Sequence, residues 1–219
     1  MNKNISDISK DDLKGIKYLD SIAFEYFSLK KLSSFIPSIT KLPFSIKIVV
    51  ENLVRGACLS NAKDVIEKTV AKINLIIRKF VSKDLGDQQI ECDFYPSRVL
   101  LQDFTGVPVV TDLAAMRDAA LRCNLDPKKI NPVKKVDLVV DHSVVVNAYG
   151  NRDALENNVK DEYEQNFERY KFLKWAQKSF DNFRVVPPGM GICHQVNLEY
   201  LASVFSVDRK NNLIYPDTV

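Results

Sequence analysis

The chain is expected to fold as an α/β protein, with a mostly parallel sheet flanked by helices and a helical part before it. Two observations predict this. From residue 95 onward, short apolar runs alternate with segments of helical spacing, the pattern of a parallel sheet covered by helices. The run "VDLVVDHSVVV" (136–146) is dense in valine, as in a strand buried on both faces.

Residues 1–20 read as a loose polar lead-in, and 21–219 as one α/β domain, because no linker clearly divides the chain. "FEYFSLKKL" (24–32) suits a short strand or extended segment. "LPFSIKIVVENLVRGAC" opens with Pro43, a favoured first-turn residue, and carries an apolar stripe of Phe44, Ile48, Leu53 and Val54. Residues 62–82 repeat apolar positions every three or four residues, from Val65 to Phe80, and predict a second helix. "SRVLLQ" (97–102) predicts a buried strand. "TDLAAMRDAALRC" (111–123) predicts a helix capped at its start. After the strand 136–146 and a loop comes a helix over 160–183, with Tyr163, Phe167, Tyr170, Leu173, Ala176 and Phe180 on one face. "FRVV" predicts a strand that runs into a proline-glycine turn. "HQVNLEYLASVF" predicts a helix with Leu198, Leu201 and Phe205 on one side, and "NLIYPDTV" a final strand.

Bulk properties narrow the function. The 219 residues are 46% hydrophobic and 27% charged, an ordinary globular balance. A formal net charge of +3, spread along the chain, argues against nucleic acid as partner. Pairs such as Lys128–Lys129 and Lys134–Lys135 read as solvated faces. No run of about 18 apolar residues exists, so no membrane span is expected. The N-terminus is too polar and acidic for a secretory signal. Cys58, Cys92, Cys123 and Cys193 form no close pair, which argues against a metal or cluster site built from this chain alone and suits reduced thiols in a cytoplasmic setting.

Ligands of open parallel sheets bind beyond the carboxyl ends of the strands. Three strand ends here deliver polar groups: Gln102 and Asp103 after the first, Asp141 and His142 after the second, and His194 after the third and its turn. Each has a bland alternative, such as satisfying loop amides or capping a turn. Their convergence makes them the candidate site, and Asp141 beside His142 suits a proton-handling pair.

Long blocks of the chain then resemble a known family. "SRVLLQDFTGVPVVTDLAAMRDA", "INPVKKVDLVVDHSVVV" and "FERYKFLKWAQKSFDNFRVVPPGMGICHQVNLEYLA" are similar to the first domain of aconitases, in the branch of bacterial aconitase and iron-regulatory protein. The resemblance runs from about residue 20 to the end. It implies isomerisation of citrate to isocitrate through cis-aconitate, in the tricarboxylic acid cycle, with a [4Fe–4S] cluster serving as Lewis acid in the complete enzyme. Carried over by position, Gln102 is the substrate-binding glutamine, Asp141 and His142 the active-site pair, and His194 a further active-site histidine.

The chain departs from the family in two ways. The Gly-Thr-Asp-Ser-His segment that follows "YPDTV" in the family is absent, and so are the later cysteine ligands, so no cluster is expected on this chain alone. The chain therefore resembles an N-terminal portion, truncated at its C-terminus and inactive by itself. The remaining domains, as a separate chain, are a conceivable partner. A non-catalytic RNA-binding module and a 2-methylcitrate dehydratase are the alternatives. The segment "NLIYPDTV" is expected to leave backbone groups unpaired at the end of the sheet.

Overall fold

A computed structural model describes residues 9–60, 63–140, 145–187 and 200–219. The chain divides into two compact units, Met1–Tyr95 with Val204–Pro216, and Pro96–Ser203 with Asp217–Val219.

The first unit is not helical alone. A one-turn helix α1 (Lys10–Leu13), capped by Ser9, leads into the hairpin β1 (Lys14–Leu19) and β2 (Ile22–Phe27). The lead-in is thus structured from Ser9, with Leu13 buried. The hairpin turns at Asp20 and Ser21, both at positive φ (47° and 68°), as the two-residue turns that match strand twist require. A short helix α2 (Leu29–Ser33) follows and takes the end of the stretch expected to be extended. The helices α3 (Phe44–Ser60) and α4 (Lys63–Ile77) fall where apolar spacing predicts them, and α4 ends in a π-helical turn over Arg78–Ser82.

At the end of the chain, β6 (Phe205–Asp208) and β7 (Leu213–Pro216) form an antiparallel hairpin, and β7 pairs in parallel with β2. The sheet order is β1-β2-β7-β6. Phe205, expected on a helix, therefore lies in a strand. The core joins Phe27, Ile39, Val50, Leu53, Ile73 and Leu213.

The second unit carries the expected parallel sheet: β3 (Arg98–Gln102), β4 (Lys135–Val139) and β5 (Phe183–Val186), in that order. The sheet runs in register, with Gln102 opposite Val139 and Val139 opposite Val186. Central β4 is buried from Val136 through Val139. Val136, Leu138 and Val140 share a core with Val110, Leu173 and Ala176 of the flanking helices.

Those helices differ from the expected ones. Helix α5 runs Asp103–Arg122, starting eight residues before Thr111 and passing through Gly106 and Pro108. Both residues disfavour a helix interior, which is why propensity alone starts it too late. Packing overrides propensity here: a Cβ on Gly106 would lie 2.4 Å from Cδ1 of Leu138, so only glycine lets the helix lie this close to β4.

The helix expected over 160–183 is two, α6 (Ala154–Gln165) and α7 (Phe167–Ser179). The break falls at Asn166, whose side-chain amide donates to the Glu162 carboxylate at 3.1 Å and competes with the helical backbone. The expected stripe holds only from Tyr170 onward. Leu173, Ala176 and Phe180 are buried, whereas Tyr163 and Phe167 are exposed.

The strand expected over 136–146 ends earlier, at Val139; Val145 and Val146 are exposed and outside any strand. The tail also differs from expectation. Thr218 is tied to Ser97, whose N–H donates to the Thr218 carbonyl at 3.0 Å and whose hydroxyl accepts from the Thr218 N–H at 2.7 Å. Asp217 accepts from the Ser97 hydroxyl at 2.6 Å and lies 3.2 Å from Nε of Arg98. Strand β7 pairs with β6 along its length and with β2 at Leu213.

Candidate active site

The register of the parallel sheet puts Gln102, Val139 and Val186 in one row. The chain leaves all three strands at the same edge, as the strand-end rule requires of a site. Gln102 sits where β3 becomes α5. It is the N-cap residue, in extended conformation (φ −74°, ψ 158°), but its side chain makes no cap hydrogen bond. Its half-buried carboxamide is therefore not committed to the helix start.

The second strand extends its pairing one residue further, since the Val140 N–H donates to the Val186 carbonyl at 3.1 Å. Asp141 and His142 follow Val140 in sequence and lie outside the described residues, as does His194 after Pro187. Beyond Val145, Asn158 of α6 grips the returning chain. Its carbonyl oxygen accepts from the N–H groups of Asn147 (3.0 Å) and Ala148 (2.9 Å), and its amide donates to the Ala148 carbonyl (2.9 Å). One buried side chain thus satisfies three backbone groups of the loop that leads away from Asp141 and His142.

Asp103 sits next to Gln102 and is fully buried. Its carboxylate accepts from the Phe104 N–H at 3.0 Å and forms an ion pair with Arg169 of α7. An acidic group in the first turn also opposes the positive end of the helix dipole. Close by, the Tyr170 hydroxyl donates to the buried carboxylate of Glu162. Burial, and then this hydrogen bond, hold the phenol well above its ordinary pKa, so it stays protonated at a pH where an ordinary tyrosine ionises. Val140, Tyr163, Tyr170, Leu173, Lys174 and Gln177 help to line a cavity of about 420 Å³ at the ends of β4 and β5.

Sequence reasoning named Gln102 and Asp103 at the end of the first strand but did not mark Arg169 or Asn158. The partners of Arg169 and Asn158 are distant in sequence or lie in loops, so no spacing rule marks them.

The described thiols do not suit a cluster anchor. Cys58 is buried in the apolar core of the first unit, Cys92 is half-buried in the same unit, and Cys123 is exposed in the second. Cys193 lies outside the described residues. Among the described residues, no group of three His, Cys, Asp or Glu side chains is arranged to hold a metal ion. Among them, too, no helix is long and apolar enough to cross a membrane.

Comparison with known proteins supplies an independent line. The family model "Aconitase family (aconitate hydratase)" matches residues 67–219. The chain is 48% identical to the aconitate hydratase A of Rickettsia felis over 202 residues, which are 92% of this chain and 21% of that protein. It is 48% identical to that of Corynebacterium efficiens over 196 residues, 90% of this chain and 19% of the relative. The Rickettsia conorii protein is 45% identical over 202 residues, again 21% of its length. The chain thus spans about a fifth of the length of these relatives. The family match runs through both of the compact units and covers all three strands of the parallel sheet, so the chain belongs to the aconitase family.

Proposed function

We propose that this chain is a portion of an aconitate hydratase, and that it supplies one wall of a site that interconverts citrate and isocitrate. Identity of 48% to aconitate hydratases over nine-tenths of the chain carries this reading. The single strand-end row of Gln102, Val139 and Val186 supports it physically.

The reaction removes a hydroxyl and a proton from neighbouring carbons to give cis-aconitate, then returns them in exchanged positions. In this scheme Gln102 donates its amide hydrogens to a substrate carboxylate. Asp141 orients His142, which gives a proton to the departing hydroxyl and takes it back on rehydration. His194 is a second proton-handling group at the same edge. The family resemblance implies a [4Fe–4S] cluster as Lewis acid in the complete enzyme. The thiols described here do not fit as its anchor, so other parts of the complete enzyme would hold it.

Two measurements test this. Anaerobic reconstitution of the chain alone with iron and sulfide is expected to give no stoichiometric thiolate-cluster absorbance near ~400 nm, and no citrate turnover. A chimera in which this chain replaces the matching fifth of the Rickettsia felis protein is expected to interconvert citrate and isocitrate. In the chimera, Gln102→Ala should raise KM, and Asp141→Asn should lower kcat. A folded, cluster-loaded chimera without activity would overturn the reading.

A further inference from the structure

We propose that the Asp103–Arg169 ion pair is a positioning device that fixes the carboxamide of Gln102 at the strand edge. The inference rests on the reading of Gln102 as a substrate-facing group. It concerns how that group is held.

Gln102 is constrained from two sides. On its N-terminal side, β3 is registered on β4, with Leu101 opposite Leu138 and Gln102 opposite Val139. On its C-terminal side, the next residue is the fully buried Asp103, whose carboxylate binds both the Phe104 N–H and the Arg169 guanidinium. The guanidinium also lies over the exposed Phe104 ring, 4.9 Å from its centroid, so one arginine holds the two residues that follow Gln102.

Arg169 is itself aimed. It lies in the first turn of α7, just after the break at Asn166, and 6.0 Å from the ring of its neighbour Tyr170. Buried Glu162 ties both Asn166 and Tyr170 to α6. The line of contacts runs from Glu162 through Tyr170 to Arg169 and Asp103, the residue that follows Gln102.

Helix capping alone does not account for this arrangement. An acidic first-turn residue favours a helix start while still in water. Burying the carboxylate against an arginine incurs desolvation that an apolar pair would avoid, and its return is a single allowed geometry. That geometry fixes the turn at which Gln102 stands, and the Gln102 side chain is left out of the cap. Asp103 and Arg169 are positioning residues, acting on bound carboxylate through Gln102.

The test uses the full chain and nuclear magnetic resonance. The side-chain amide signals of Gln102 are identified by their loss in Gln102→Glu. In Arg169→Gln, the order of that side-chain amide is expected to fall, and the Phe104 backbone amide to exchange about tenfold faster, while the Leu138 amide in β4 keeps its protection. Arg169→Lys retains the charge without the planar fork and should restore only part of the order. Unchanged Gln102 order in a folded Arg169→Gln chain would overturn the proposal.

If both variants fail to fold, the unmodified chain decides. The Phe104 amide is expected to be as protected as that of Leu138, and fast exchange there would overturn the proposal. The two readings fail separately. If Gln102→Ala leaves the KM of the chimera unchanged, the substrate role falls while the ordering result stands. Loss of the ordering effect alone removes the positioning role.

Discussion

Asp137 and Arg184 face each other across β4 and β5 as register partners, and Nε of Arg184 donates to the Asp137 carboxylate at 2.7 Å. Arg98 lies 3.6 Å from the other oxygen of Asp137 and 3.2 Å from Asp217. Four charges thus cross the second unit, on the β4 face opposite the apolar core. Asp137 is the joint between the two arginines, and its side chain is only 1% exposed.

Asp137→Ala leaves buried Arg98 without one of its partners and is expected to cost about 3–5 kcal/mol. Arg184 is nearly half exposed, at 47%, so water can replace much of what it gives. Arg184→Ala should leave a smaller loss, though more than the roughly 0–1 kcal/mol of a surface pair, because its partner is buried. Urea unfolding of the two variants checks the order, and equal losses would contradict it.

Gly106→Ala sets two effects against each other. Alanine gains about 0.8–1 kcal/mol over glycine in a helix. The new methyl would meet Leu138 at 2.4 Å and Cβ of Leu101 at 3.2 Å, an overpacking cost of about 1–3 kcal/mol. Leu138 is fully buried and Leu101 offers a Cβ, so neither yields easily, and net destabilisation is expected. A double-mutant cycle with Leu138→Ala is the check: in that background Gly106→Ala should become neutral or stabilising.

The raised pKa of Tyr170 has a definite sign. Its phenol keeps the proton in the folded chain at a pH where the unfolded chain has released it. Its contribution to stability is therefore fully present below about pH 10, the ordinary tyrosine value, and is lost as pH rises through the folded value. Melting temperatures from about pH 9 to 11 should fall more steeply for the parent than for Tyr170→Phe. Absorbance titration should also show one of the eight tyrosines resisting ionisation until the chain unfolds. Parallel melting curves would remove the shift.

What could be read from the sequence follows the range of each interaction. β3, β5 and the core of β4 are short apolar runs and were legible, and so were α3 and α4 by spacing. The start of α5 was not, because Gly106 and Pro108 are explained only by β4 lying beneath the helix. The α6–α7 break depends on the side chain of Asn166, which a periodicity count passes over. The attachment of β7 to β2 joins residues nearly 190 positions apart, as Glu25 and Leu213 are, so no local pattern announces it. The position of Gln102 at the end of β3, which the strand-end rule uses, was legible. The Asp141, His142 and His194 readings fall outside the described residues.

Asn158 offers a test of how the loop beyond Asp141 and His142 is held. It is 7% exposed and serves two N–H groups and one carbonyl, while the Asn147 side chain reaches Asp161 at 2.9 Å. Asn158→Ala strands the three backbone groups and is expected to cost about 1–3 kcal/mol, since buried unsatisfied groups carry that penalty. Asn158→Asp keeps an acceptor for both N–H groups but cannot donate to the Ala148 carbonyl. It should therefore lose less, and less still toward acid, where a protonated carboxyl can donate again. Hydrogen exchange of the Ala148 amide reads this directly: fast in the alanine variant, intermediate in the aspartate variant, and slow in the parent. If the aspartate variant exchanged as fast as the alanine variant across the acid range, the three-bond grip described here would not be what holds the loop.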